Sequence, residues 1–137
     1  MKSRSESLIR LKKFQTDEKR RQVAQIEMMI ADFERMASEL DQQIEIEQTK
    51  TGISDVAHFA YSTFAKAAMT RRDNLLRSAG DMRDQLETAQ DALAEAVEDL
   101  KKVELLDQRE HGRALAADAK AEQAEYDEMG RMRHVRH

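Results

Sequence analysis

The sequence predicts an all-α protein: two long helices forming an antiparallel coiled-coil hairpin, the second helix longer and overhanging the first. Three observations carry this. Proline is absent and glycine occurs four times in 137 residues, so the two strongest helix breakers are scarce. Charged residues make up 36% of the chain and aromatics 4%, which suits a long helix and leaves few large anchors for a globular core. Two apolar stripes of alternating three- and four-residue spacing flank one short segment of turn residues.

The chain reads as one coiled-coil domain over 1–137. Helix 1 is expected at about 5–50. Its stripe is Val23, Ile26, Ile30, Phe33, Ala37, Leu40 and Ile44, an a/d seam with mostly polar residues between. Leu8, Ile9, Leu11 and Phe14 are apolar in another register, so the helix is read as continuing upstream with a phase shift around 15–22. The turn is expected at about 51–54. Gly52 suits the position after a helix end, where positive φ carries no Cβ penalty. Ser54 or Asp55 then suits the N-cap of helix 2, expected at about 55–130. The second stripe is Leu75, Ala79, Met82, Leu86, Ala89, Leu93, Ala96, Leu100 and Val103. Alternating leucine and alanine lets two helices approach closely. Beyond Val103 the stripe fades into Asp107, Glu110 and alanines, so 113–128 reads as helix with little to bury. A basic tail follows at 131–137.

Charge favours an intramolecular, antiparallel pairing. Residues 1–21 carry eight cations against three anions, and residues 84–104 carry seven anions against two cations. Reversal near Gly52 sets these segments side by side, with paired positions summing to roughly 105 if the loop is short. A parallel homodimer would oppose like charges instead. The two strongest stripes prefer a sum of roughly 119, which requires a longer connection at the tip. Helix 1 would span roughly 68 Å, leaving the end of helix 2 without a partner.

The residues carry no sign of chemistry. Cysteine is absent, which removes disulfides and thiolate metal sites. Neither phosphate-binding glycine loop nor nucleophile elbow is present. His58, His111, His134 and His137 are dispersed; the last two, three apart, supply only two ligands. No catalytic, cofactor or metal residue is therefore assigned. Neither a secretory leader nor a membrane-spanning run is present, so a cytoplasmic protein without direct membrane insertion is expected.

The candidates for binding are different. His58 to Ala68 is the densest aromatic stretch. Tyr61, Ala65 and Ala68 extend the second stripe backward, so Phe59 and Phe64 do not both fit that face and at least one should be exposed. Local packing of the hairpin end is the alternative. Met28 lies off the first stripe and is a contact candidate, whereas Met29 and Met36 read as filler beside it. Lys12, Lys13, Arg20 and Arg21 form a basic run before the heptads, as in basic-region zippers. Asp17 and Glu18 interrupt it and the chain's net charge is −4, so a solvated, internally paired face is favoured over nucleic-acid binding.

Several pieces in order resemble the FliJ family of flagellar type III export proteins. They are Leu8-Ile9-Arg10-Leu11-Lys12-Lys13-Phe14, Asp17-Glu18-Lys19-Arg20-Arg21, the stretch Phe59 to Phe64, Leu100 through Leu106, and Glu125-Tyr126-Asp127-Glu128-Met129. The tip stretch is more similar to alphaproteobacterial members than to enterobacterial ones. The resemblance implies a non-enzymatic, cofactor-free stalk of the export apparatus, located at the flagellar base beside the inner membrane. The implied partners are the flagellar export ATPase ring, the cytoplasmic domain of the export-gate membrane protein, and export chaperones. Residues near 8–21 and 100–128 would face the ring, and Phe59, Tyr61 and Phe64 the gate. The alternatives are a generic coiled-coil scaffold, an injectisome stalk, or a nucleic-acid-binding dimer.

Overall fold

The computed structural model describes residues 4–136, with side chains to Arg133. Two helices make up the fold, α1 (Arg4–Thr51, 48 residues) and α2 (Thr63–Arg136, 74 residues), and among the described residues there is no strand. Their packing divides into two compact units. One is Asp17–Glu95; the other joins the start of α1 through Thr16 to α2 from Ala96 onward.

In the first unit the expected stripes face each other. Ile30, Ala37 and Ile44 of α1 are buried, and so are Ala65, Ala68 and Ala79 of α2. Between them Val23, Ile26, Phe33 and Leu40 meet Leu75, Met82, Leu86 and Leu93, all half-buried. α1 therefore supplies bulk while α2 alternates bulk with alanine, so large side chains enter spaces left by small ones. Fully burying one such side chain contributes about 1.5–3 kcal/mol, and a two-helix seam covers most of them only in part.

The helices run antiparallel. Partners on α1 fall in number as those beyond its end rise: Gln48 with Tyr61, Asp41 with Arg72, Glu34 with Arg83. Arg72 occupies a seam position and reaches Asp41 at 2.8 Å. That hydrogen bond holds its guanidinium above the ordinary arginine value, against the opposing effect of desolvation. Arg83–Glu34 is exposed and Arg72–Asp41 has one exposed member, and each contributes at most about 1 kcal/mol.

The turn differs from expectation. Gly52 does end α1, with φ of 70° and its N–H donating to the Gln48 carbonyl at 2.9 Å. α2, however, begins at Thr63 and not near 55. Asp55 spends its carboxylate on the Ala57 N–H (3.0 Å), and His58 accepts the Ala60 N–H at Nδ1 (3.0 Å). These side chains stabilise consecutive turns that compete with helix. The cap is Ser62, whose Oγ accepts the Ala65 N–H at 3.2 Å and donates to Glu47 at 3.1 Å. The longer connection moves the register. Ile26 lines one groove with Gln85 and Ala89, between the partners near 79 and 93 that the two sequence-based sums imply.

In the second unit the expected phase shift is absent. Half-buried or buried positions on α1 are Ser5, Ile9, Lys12 and Thr16, the backward continuation of the 23–44 heptad. Leu8, Leu11 and Phe14 are consequently exposed. Thr16 is 1% exposed, and its hydroxyl donates to the Lys12 carbonyl at 2.8 Å, which satisfies it inside the seam. Ser5 donates to Glu110 at 3.2 Å, so α2 beyond Glu110 has no α1 beside it. The register also reduces the expected charge match. Residues 4–16 face a stretch near 98–110 in which Lys101, Lys102 and Arg109 offset much of the acidity. Lys2 lies outside the described residues.

Cysteines replacing Ile26 and Ala89 should form a disulfide within one chain, seen as a mobility shift on a non-reducing gel; more efficient closure of Ile26 to Ala79 would refute the register. Gly52→Ala should lower unfolding stability by about 1 kcal/mol, because alanine resists positive φ. Urea midpoints measure it, and an unchanged midpoint would show that the turn tolerates a side chain there.

Candidate interaction surfaces

The connection between the helices projects one aromatic ring into water. Asp55 and His58 carbonyls accept the His58 and Tyr61 N–H groups, each at 3.0 Å, so the loop has a defined course. Phe59 is 97% exposed and its ring stacks on His58 with centroids 4.7 Å apart. Phe64 and Val56 are also exposed. Both phenylalanines thus face solvent, one more than the seam argument requires. Tyr61 behaves oppositely. It is 5% exposed, and its hydroxyl accepts a hydrogen bond from Gln48 Nε2 at 2.9 Å. Tyr61 therefore packs the tip and exposes little of itself to a partner.

The remaining candidates separate as well. Met28 is exposed, as is Met29, while Met36 lines a shallow groove with Leu40 and Leu75. Lys12 lies half-buried on the seam face. Lys13 is exposed. Arg20 pairs with Asp17 at 3.3 Å, and Arg21 pairs with Glu18. Both pairs lie one turn apart on α1, so the basic run is partly neutralised by its own helix.

Two further surfaces belong to the unit containing the start of α1. One is the outward stripe Leu8, Leu11 and Phe14. The other is α2 past the end of pairing, where every residue from Gln108 to Arg133 is exposed. Leu115, Tyr126 and Met129 share one face of that helix, while Ala114, Ala117, Ala121 and Ala124 continue the old seam on another. The signal for the α1 stripe lies in the sequence: extending the 23–44 heptad backward lands on Lys19, Thr16, Lys12 and Ile9, so the apolar residues between them must point away.

Asp107, at the last seam position, is half-buried and its Oδ1 has no partner among the described residues; its Oδ2 lies 3.6 Å from His111. No group of three or more potential metal ligands occurs among the described residues. The His134–His137 pair has no described side chains. No helix among the described residues is long and apolar enough to cross a membrane.

The whole chain, residues 1–137, matches the family described as flagellar FliJ protein. The chain belongs to the FliJ family. No curated protein and no solved structure matches it. Membership makes it a component of the flagellar export apparatus, in a family that is non-catalytic. The two-helix hairpin accords with membership in the FliJ family.

Packing and display at the tip should separate by mutation. Tyr61→Phe should cost about 1 kcal/mol through the lost Gln48 hydrogen bond. Phe59→Ala should change stability by no more than about 0.5 kcal/mol, as exposed sites do. Thermal unfolding of the two variants checks this; a larger loss for Phe59→Ala would mean that its ring packs in solution.

Proposed function

We propose that this FliJ protein is a stalk-like binder that engages the export ATPase ring through the free end of α2 and the export gate through the tip, and that it performs no reaction itself. The observation that carries the reading is the unpaired run of α2. From 111 to 136 it extends about 39 Å beyond its pairing with α1, at 1.5 Å per residue, and all its described side chains are exposed. A bare helix of that length gains little from its own chain, and a surrounding protein surface supplies what is missing.

Such a binder acts by differential affinity. It shifts a ring between conformations only if it binds one more tightly than another. An exposed helix face bearing Leu115, Tyr126 and Met129 provides anchors of the type that concentrate binding energy. The tip offers Phe59 on a loop held by Asp55 and His58 and Phe64 on the first turn of α2, which limits the ordering cost of docking. Residence beside the inner membrane would follow from those partners. An escort role toward export chaperones would draw on the same exposed α2 face.

Truncation after Glu110 keeps the pairing with Ser5 and removes the free helix. The truncated chain should remain helical and should lose most of its stimulation of the partner ring's ATP hydrolysis. Full stimulation by the truncated chain would overturn the assignment of α2. Gate binding should weaken at least tenfold for the double substitution Phe59→Ala, Phe64→Ala, measured by calorimetry with the gate's cytoplasmic domain.

A further inference from the structure

The start of α1 presents an inverted arrangement: Lys12 and Thr16 turn toward the seam while Leu8, Leu11 and Phe14 face solvent. Phe14 is 61% exposed. This outward stripe sits in a basic setting. The exposed charges of residues 4–14 are Arg4, Arg10 and Lys13 against Glu6. The free part of α2 has the opposite character. Residues 114–129 hold Asp118, Glu122, Glu125, Asp127 and Glu128 against Lys120, around exposed Leu115, Tyr126 and Met129.

We propose that these two surfaces are halves of one interface between copies of this chain: the acidic, apolar end of α2 from one copy covers the basic, apolar start of α1 in another. A homotypic joint between two α2 ends would set acidic flanks against each other, and one between two α1 starts would set basic flanks together. Only the mixed pairing matches sign as well as apolar surface. It also places both unsatisfied surfaces of this unit in a single contact, and a reciprocal arrangement closes as a two-fold dimer. The interface uses the α2 face that the proposed function gives to the ring, so it describes the free protein, and ring binding would displace it.

Sedimentation equilibrium of the full chain tests it. At micromolar to submillimolar concentration the mass should approach about twice the 15.8 kDa of one chain, with association weakening as salt rises. Phe14→Glu alone, and Tyr126→Glu with Met129→Glu, should each weaken association roughly tenfold or more without loss of helix by circular dichroism. Mixing the two variants should restore association in part, because one joint then pairs an intact α1 start with an intact α2 end. Cysteines at Leu11 in one copy and Tyr126 in another should form a disulfide, which the otherwise cysteine-free chain makes unambiguous. A single-chain mass at all concentrations would overturn the proposal, as would association that survives Phe14→Glu. Binding of anionic lipid vesicles by a chain that stays monomeric would overturn it too, assigning the basic stripe to a membrane surface.

Discussion

The structure depends on the fit between a bulky stripe and a thin one. α1 contributes isoleucine, phenylalanine and leucine at its seam, and α2 places Ala65, Ala68, Ala79 and Ala89 among its larger residues. Two helices alone enclose little volume, so close approach is the means by which this pair excludes water. Ala65 and Ala79 are fully buried although alanine is small, which shows how near the α1 side chains come. A larger residue at either position would separate the helices and uncover their neighbours as well. Ion pairs such as Arg72–Asp41 add register information to this packing and little stability.

The stripes were legible because a heptad is a local property, readable without knowledge of the partner. Tyr61, Ala65 and Ala68 extend the second stripe as their spacing indicated, although Tyr61 precedes the helix. The register was less legible because it depends on the loop. Ser54 and Asp55 have the chemistry of an N-cap, and so does Ser62. What decides is that Ser62 also reaches Glu47 on α1, a contact no local pattern displays. Asp55 meanwhile stabilises a turn, adding eight residues between the expected and observed helix starts.

The start of α1 shows a second limit of pattern reading. Apolar residues at 8, 11 and 14 suggest a core, and a phase shift was the simplest way to bury them. The helix keeps one heptad frame instead, with Thr16 satisfied by its own backbone and Lys12 laid along the seam. Backbone continuity outweighs burial of three side chains that a single partner helix cannot cover at that angle. That at least one of Phe59 and Phe64 would be exposed was legible for the converse reason: the seam had no room for both. The burial of Tyr61 and the self-pairing of Arg20 and Arg21 required the folded geometry.

The central claim is that the two stripes pair within one chain. Spin labels on cysteines replacing Glu27 and Glu87, both exposed on adjacent helices of one unit, measure it by pulsed dipolar spectroscopy. Helices packed 8–10 Å apart should hold the labels within about 25 Å. Dilution with excess unlabelled chain should leave that distance and its intensity unchanged. Loss of the short distance on dilution would show that the stripes join different molecules and would contradict the hairpin.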